Sequence, residues 1–284
     1  MGDHFSFGGL GPLAALMAAA DATTTLRLGS MVFANDFRNP VLLAQEAATI
    51  DLFSDGRLEF GLGSGWLRDD YVAVGMPFDP PATRIQRLAE AVPLIKQLLG
   101  DTPVTFAGKY YQVEHLNLMP KPKQRPHPPI LIGGGGRRVL TLAGQEADIV
   151  SIDPKGTAAG TKDIATSTAD AVAEQVAWVR AAAGARFDAL ELHSLLLMVR
   201  VSDDRHYAAE QMAAELATFP ATWVSNAVLS AEQILSSPHF LVGTVDQMVA
   251  DLQMRRERYG ISYITVFGDS VDTFSPIVAR LAGS

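Results

Sequence analysis

From Thr25 onward the chain alternates short β-rich runs with longer segments of helical apolar spacing, and this rhythm constrains the fold more than any other feature. Parallel strands cannot be joined by tight turns and need long crossovers, so strand–helix alternation predicts βα units around a parallel sheet. Strands are predicted over 26–32, 58–62, 130–132, 148–152, 190–201 and 261–267. Helices whose apolar stripe would pack on that sheet are predicted over 40–53, 83–99 and 137–144. Punctuation supports these limits: Pro40 suits a first helical turn, and Ser54-Asp55-Gly56 suits a stop and tight turn. Thr244 and Gln247 form the pattern of a capping box for a helix running to Tyr259, with Gly260 as its terminator.

Two stretches break the rhythm. Residues 102–129 carry Pro103, Pro120, Pro122, Pro126, Pro128 and Pro129, which predicts an extended insertion. Residues 154–167 are rich in Gly, Thr, Ala and Ser, which predicts a mobile loop after a strand. A (β/α)8 barrel takes about 250 residues, or about 31 per βα unit. Here Met1 to Phe5 already reads as the end of a strand entering a loop. The expectation is a single barrel domain over 1–284 that lacks its first βα unit: either the true start lies further upstream, or the barrel is shortened and its sheet edges are covered by a partner, most simply a second copy in a homodimer.

Composition narrows the chemistry. A net charge of −8 and the absence of any Lys/Arg run leave no footprint for nucleic acid and favour a small-molecule substrate. With 0 cysteines, disulfides, thiolate nucleophiles and thiolate metal sites are excluded. The apolar stretch at 12–20 is about half of what a membrane span needs, and no basic segment precedes it, so no membrane or signal segment is expected and the cytoplasm is the expected location. His115, His127, His193, His206 and His239 are scattered without metal-ligand spacing, so no metal is expected. Trp178 and Trp223 fall in helical patterns and read as core anchors.

Three motifs could carry chemistry. Asp3-His4 is a carboxylate beside an imidazole at the end of a strand, where barrel enzymes keep catalytic groups; a frayed terminus is the competing reading. Gly61-Leu62-Gly63-Ser64-Gly65-Trp66 would let a ligand approach the backbone, or would simply permit a bend at the barrel rim. It is not a dinucleotide fingerprint, because Trp66 stands where the last glycine would be. Gly133-Gly134-Gly135-Gly136, followed by Arg137-Arg138, joins a strand to a helix start, where exposed N–H groups and the helix dipole favour an anion such as phosphate.

The segments LRLGSMVFANDFRNPVLLAQEAATIDLFSDGRLEFGLGSGW, RLAEAVPLIKQLL, FAGKYYQV, PPILIGGGGRRVLTLAGQEADIV and VGTVDQMVADL occur in this order across nearly the whole chain. Together they resemble the luciferase-like monooxygenase family, and most of all its subgroup that uses the deazaflavin coenzyme F420. The resemblance implies a TIM (β/α)8 barrel of the bacterial luciferase-like type. It implies that Asp3 contacts the cofactor ring and that His4 faces the substrate as the catalytic residue. It implies a non-proline cis peptide behind the ring at Met31-Val32, and a glycine segment, Gly133, Gly134, Gly135 and Gly136, along the cofactor phosphate. Asp69 completes the implied cofactor-binding set. Two positions depart from family patterns: Trp66 replaces the acidic Glu of some sugar-phosphate dehydrogenases, and Asp153 stands where a hydroxyl residue often helps to bind phosphate.

The implied function is an oxidoreductase that exchanges hydride between F420 and a small organic substrate, with His4 moving the accompanying proton. An FMN-dependent monooxygenase acting with oxygen is the alternative. A non-catalytic flavin-binding relative, or an inactive truncated product, is the alternative of another class. A phosphate-binding hydrolase or aldolase is disfavoured, because neither a Schiff-base Lys on a strand nor a metal cluster is evident.

Overall fold

The computed structural model describes residues 1–5 and 9–282. Backbone contacts divide the chain into two compact units, residues 1–133 with 145–149, and residues 134–144 with 150–284.

The first unit contains α1 (Pro12–Ala22), β1 (Leu28–Gly29), β2 (Phe33–Ala34), α2 (Pro40–Phe53), β3 (Leu58–Gly63), α3 (Arg68–Ala73), α4 (Pro81–Leu99), β4 (Val104–Ala107), β5 (Gln112–Leu116) and β6 (Ile130–Gly134). Its sheet is parallel: β3 pairs with β1 through Leu28↔Leu58, with β2 through Phe33↔Leu62 and with β6 through Phe60↔Ile130. Every residue of β3 is buried, as expected of a strand covered on both faces. The strand expected at 26–32 is divided into β1 and β2, and the Met31–Val32 peptide between them is cis, at the position the resemblance indicated.

Helix α2 has the expected limits: the Asn39 side chain accepts from Val41 N–H, and Pro40 occupies the first turn. The proline-rich stretch is extended as expected, but it also holds an antiparallel hairpin, β4 with β5. Its turn is set by Glu90 on α4, whose carboxylate accepts the backbone N–H groups of Lys109, Tyr110 and Tyr111. Further on, buried Asp51 of α2 accepts from Gln124 N–H at 2.9 Å and from its Nε2 at 2.6 Å, so a single carboxylate anchors a segment that lacks regular structure.

The second unit contains α5 (Arg137–Glu146), β7 (Ile149–Ile152), β8 (Lys155–Gly156), β9 (Lys162–Asp163), α6 (Ala169–Ala183), β10 (Glu191–Leu195), β11 (Met198–Val201), α7 (Arg205–Leu216), β12 (Val224–Ser225), α8 (Ala231–Ser236), β13 (Phe240–Gly243), α9 (Val245–Tyr259), β14 (Ile261–Thr265) and α10 (Val271–Leu281). Strand β10 lies between β7 and β14 and runs parallel to β14. The capping box at Thr244 and Gln247 forms on both sides, and Gly260 ends α9 in the left-handed conformation.

Three expectations are corrected here. The run 190–201 is two strands, because the chain changes neighbours: Leu196 N–H donates to Thr265 O, whereas Leu197 N–H donates to His239 O, and β11 then pairs with β13. Residues 154–167 are not a plain loop: β8 and β9 form an antiparallel pair, β12 adds to it in parallel, and Ile164 and Ser167 are buried. Trp223 lies in a turn closed by its own N–H to Pro220 O, whereas Trp178 is helical. Among the described residues no helix is long and apolar enough to cross a membrane, and no side-chain group is arranged to hold a metal ion.

Candidate active site

The opening residues are held in place. Met1 N donates to Gly29 O at 3.0 Å and Met31 N–H to Met1 O at 2.6 Å, the alternation of a parallel bridge beside β1. This carries Asp3 and His4 past the end of β1. Asp3 is 4% exposed. One of its oxygens accepts from Ala34 N–H at 3.1 Å and from Arg38 Nη1, and the other accepts from Arg38 Nη2 at 3.1 Å. A bidentate guanidinium and a backbone amide thus engage both oxygens of the carboxylate expected at the cofactor ring.

His4 is half-buried, and its Nδ1 lies 2.6 Å from Oδ2 of Asp70 on α3. The other oxygen of Asp70 accepts from Phe5 N–H at 3.0 Å. An ionised carboxylate only accepts, so the proton of a neutral His4 ring resides on Nδ1 and the lone pair on Nε2. The Trp66 ring meets the imidazole edge-on at 5.7 Å. This dyad is a base with a fixed tautomer, able to take a proton at Nε2 and return it.

Asp70 is the residue that sequence reasoning missed. Asp69, expected at the cofactor, is exposed in the first turn of α3, while Asp70 and Tyr71 face inward. One helical step turns a side chain by about 100°, so adjacent carboxylates on α3 have different surroundings. Behind the dyad, Tyr71 donates to Asp36 at 3.1 Å, and Arg87 clamps both oxygens of Asp36 at 2.9 and 2.7 Å. Burial and the Asp36 charge push the Tyr71 phenol well above its ordinary pKa, so it stays a neutral donor.

Met31 and Val32, on either side of the cis peptide, are half-buried. A Cβ at Gly63 would lie 2.5 Å from Cγ2 of Val32, so that glycine is required by the close passage of β3 beside this peptide. Within the second unit, Gly134 O accepts from Asp153 N–H at 3.0 Å, and Gly136 O accepts from Leu140 N–H at 3.0 Å as α5 begins. A Cβ at Gly135 would lie 2.0 Å from Asp153 O, whereas one at Gly136 would meet only a Lys155 carbon at 3.9 Å. Packing therefore accounts for Gly135 but not for Gly136. Gly133 is half-buried within β6, and Arg137 and Arg138 are exposed.

A parallel sheet, a carboxylate–imidazole dyad at His4 and Asp70 and a non-proline cis peptide at Met31–Val32 are the features that a comparison with known proteins has to explain. The model of the luciferase-like monooxygenase family matches residues 1–261, and the chain belongs to that family. Its fold is the luciferase-like TIM-barrel fold. An F420-dependent secondary alcohol dehydrogenase, solved with an F420–acetone adduct, superimposes with a TM-score of 0.77 at 19% identity, over 99% of this chain and 88% of that one. The coenzyme F420-dependent tetrahydromethanopterin reductase from Methanopyrus kandleri gives a TM-score of 0.73 at 18% identity, over 95% and 84%. In sequence, an F420-dependent glucose-6-phosphate dehydrogenase from Kineococcus radiotolerans is 37% identical over 130 residues, 45% of this chain and 38% of its own length. An FMNH(2)-dependent dimethylsulfone monooxygenase from Pseudomonas putida is 34% identical over 110 residues, 39% and 30%. The chain thus spans less than half the length of these curated relatives.

Proposed function

We propose that this chain is a flavin- or deazaflavin-dependent oxidoreductase that exchanges hydride between F420 and a small organic substrate. The observation that carries this reading is the His4–Asp70 dyad, a polarised base whose ring, like the Met31 carbonyl of the cis Met31–Val32 peptide, lies within 4 Å of where a Cβ on Gly2 would stand, at 3.4 and 3.7 Å. When bound, the cofactor supplies the carbon that accepts or donates hydride. The half-buried Met31–Val32 segment offers a backbone shelf that suits one face of a flat ring.

In this reading His4 moves the substrate proton at Nε2 while Asp70 holds the ring and balances the imidazolium charge. Asp3 acts through Arg38 and Ala34, keeping the strand ends in register with the dyad; it is a positioning residue. Trp66 gives the imidazole an apolar neighbour where the resemblance implies an acid in some sugar-phosphate dehydrogenases, so in this reading the substrate would meet one proton-carrying residue and not two. The amides about Gly136 would take the cofactor phosphate.

An FMN-dependent reaction with oxygen is the second reading, and the identity to the dimethylsulfone monooxygenase favours it. Titrating the purified protein separately with F420 and with FMN, reading cofactor fluorescence, decides between them. Saturable binding of F420 alone is the expected result, binding of FMN alone selects the second reading, and binding of neither overturns both.

A further inference from the structure

Three neighbouring strands of the second unit are crossed by a row of side-chain hydrogen bonds that the cofactor reading does not use. Ser151 Oγ on β7 donates to Oδ1 of Asp153, just beyond that strand, at 3.1 Å. The same Oγ lies 2.8 Å from Nδ1 of His193 on β10. Nε2 of His193 lies 2.8 Å from Oγ1 of Thr265 at the end of β14. Ser151 and His193 are fully buried and Thr265 is half-buried. Strand register sets His193 opposite Tyr263, whose ring meets the imidazole edge-on at 4.9 Å.

Donor counting makes this row directional. Each hydroxyl owns one proton, and a neutral imidazole owns one N–H. Burial lowers the His193 pKa to about 3, with His239 adding to the effect, so the ring is neutral near pH 7. While Asp153 is a carboxylate, Ser151 must donate to it, Nδ1–H must donate to Ser151, and Nε2 must accept from Thr265. Once Asp153 holds a proton and donates it, every bond reverses: Ser151 donates to Nδ1, and Nε2–H donates to Thr265. Burial raises the Asp153 pKa and the Lys162 charge opposes it.

We propose that Asp153, Ser151, His193 and Thr265 form a proton relay whose sense is set by the proton on Asp153. In the forward step a hydroxyl-bearing ligand or water gives a proton to Thr265 Oγ1 as Thr265 passes its own to Nε2. Nδ1–H then passes to Ser151, and the Ser151 proton to Asp153. Every O–H or N–H bond broken is matched by one formed, and one positive charge moves from the Thr265 end to the carboxylate. Thr265 thereby changes from an inward donor to an outward one, so the charge state of Asp153 decides whether the hydroxyl at the strand end gives or accepts a hydrogen bond.

The test uses the full chain labelled with 15N at the histidine rings and 13C at the aspartate carboxyls, with the His193 signals assigned by their loss in His193→Gln. Across the pH range in which the Asp153 carboxyl titrates, the relay requires Nδ1 to lose its protonated-nitrogen signal and Nε2 to gain one. In Ser151→Ala the carboxyl still titrates but the His193 tautomer no longer follows it. A wild-type ring that keeps one tautomer throughout, or that becomes doubly protonated over that range, overturns the proposal without recourse to any variant. So does a reversal that persists in Ser151→Ala.

Discussion

His4 and Asp70, 66 residues apart in the chain, meet with Nδ1 2.6 Å from Oδ2, and this contact converts an opening dipeptide into an oriented base. If His4 moves the substrate proton as proposed, His4→Ala is expected to cut turnover by about 10²–10⁴-fold while leaving cofactor affinity unchanged. Asp70→Asn keeps the shape but removes the obligatory acceptor that selects the Nδ1–H tautomer, and should lower turnover by up to about 10⁴-fold. Steady-state kinetics with a parallel fluorescence titration check both variants; a turnover loss matched by an equal loss of cofactor affinity would contradict the assigned roles.

Asp3 makes a different kind of contribution. Replacing it with Asn removes the carboxylate that pairs with the Arg38 guanidinium, itself 21% exposed at the side chain, and leaves only the more distant influence of Glu46. The expected destabilisation is about 3 kcal/mol, the lower end for removing one partner of a buried pair. Urea unfolding followed by circular dichroism measures it. A change below about 0.5 kcal/mol would mean that water already screens the pair.

Helices α2 and α9 were legible in the sequence to their ends because Asn39, Pro40, Thr244, Gln247 and Gly260 act through local hydrogen bonds and backbone conformation. Several of the elements it did not resolve depend on contacts distant in sequence. Nothing local in 190–201 signals that Leu196 and Leu197 bond to different neighbours. Two-residue strands such as β8, β9 and β12 are too short to carry any periodicity. Strand β13 is a brief apolar run wedged between Pro238-His239 and a helix cap, so it too lacked a pattern. At the site, His4 and the cis bond were accessible through family resemblance, but the choice of Asp70 over Asp69 is a matter of helical phase, which a short segment between a glycine turn and Gly75 does not declare.

Two buried imidazoles predict an acid-sensitive fold. Burial lowers His193 from 6.5 to about 3 and His239 from 6.5 to about 4. Their folded-state pKa values lie below the unfolded value, so below pH 6.5 the unfolded chain binds more protons and stability falls with pH. Their full contribution is present above about pH 6.5 and is lost as the pH drops toward about 4, at up to about 1.4 kcal/mol per pH unit for each ring. Urea midpoints measured between pH 7 and pH 4 should trace this slope, and His239→Gln should remove about half of it. An unchanged slope in that variant would assign the acid sensitivity to other groups.

Helix α2 leaves Leu42, Leu52 and Phe53 at 58, 48 and 69% exposure. Apolar side chains gathered on one helix suit a second copy of the chain, in line with the expected homodimer. If the expected homodimer forms through this helix, Phe53→Glu should shift the sedimentation coefficient from that of a dimer toward that of a monomer with no change in the melting of secondary structure. A wild-type protein that sediments as a monomer at high concentration would remove this reading.

Gly135 and Gly136, adjacent in the chain, separate packing from ligand binding. Gly135→Ala sets a methyl 2.0 Å from Asp153 O and 2.6 Å from Lys155 N, both backbone atoms that cannot swing away, so it should cost about 1–3 kcal/mol of stability. Gly136→Ala meets nothing nearer than 3.9 Å and should leave stability within about 0.5 kcal/mol of wild type. If the amides at this helix start take the cofactor phosphate, the Gly136 methyl stands in the path of the anion and weakens F420 binding by roughly tenfold or more, equal to about 1.4 kcal/mol. Thermal melts and cofactor titrations on the same two variants therefore give opposite rankings, Gly135→Ala the less stable and Gly136→Ala the weaker binder among folded proteins. Full affinity in Gly136→Ala would move the phosphate away from this turn and leave the glycine run with a packing role alone.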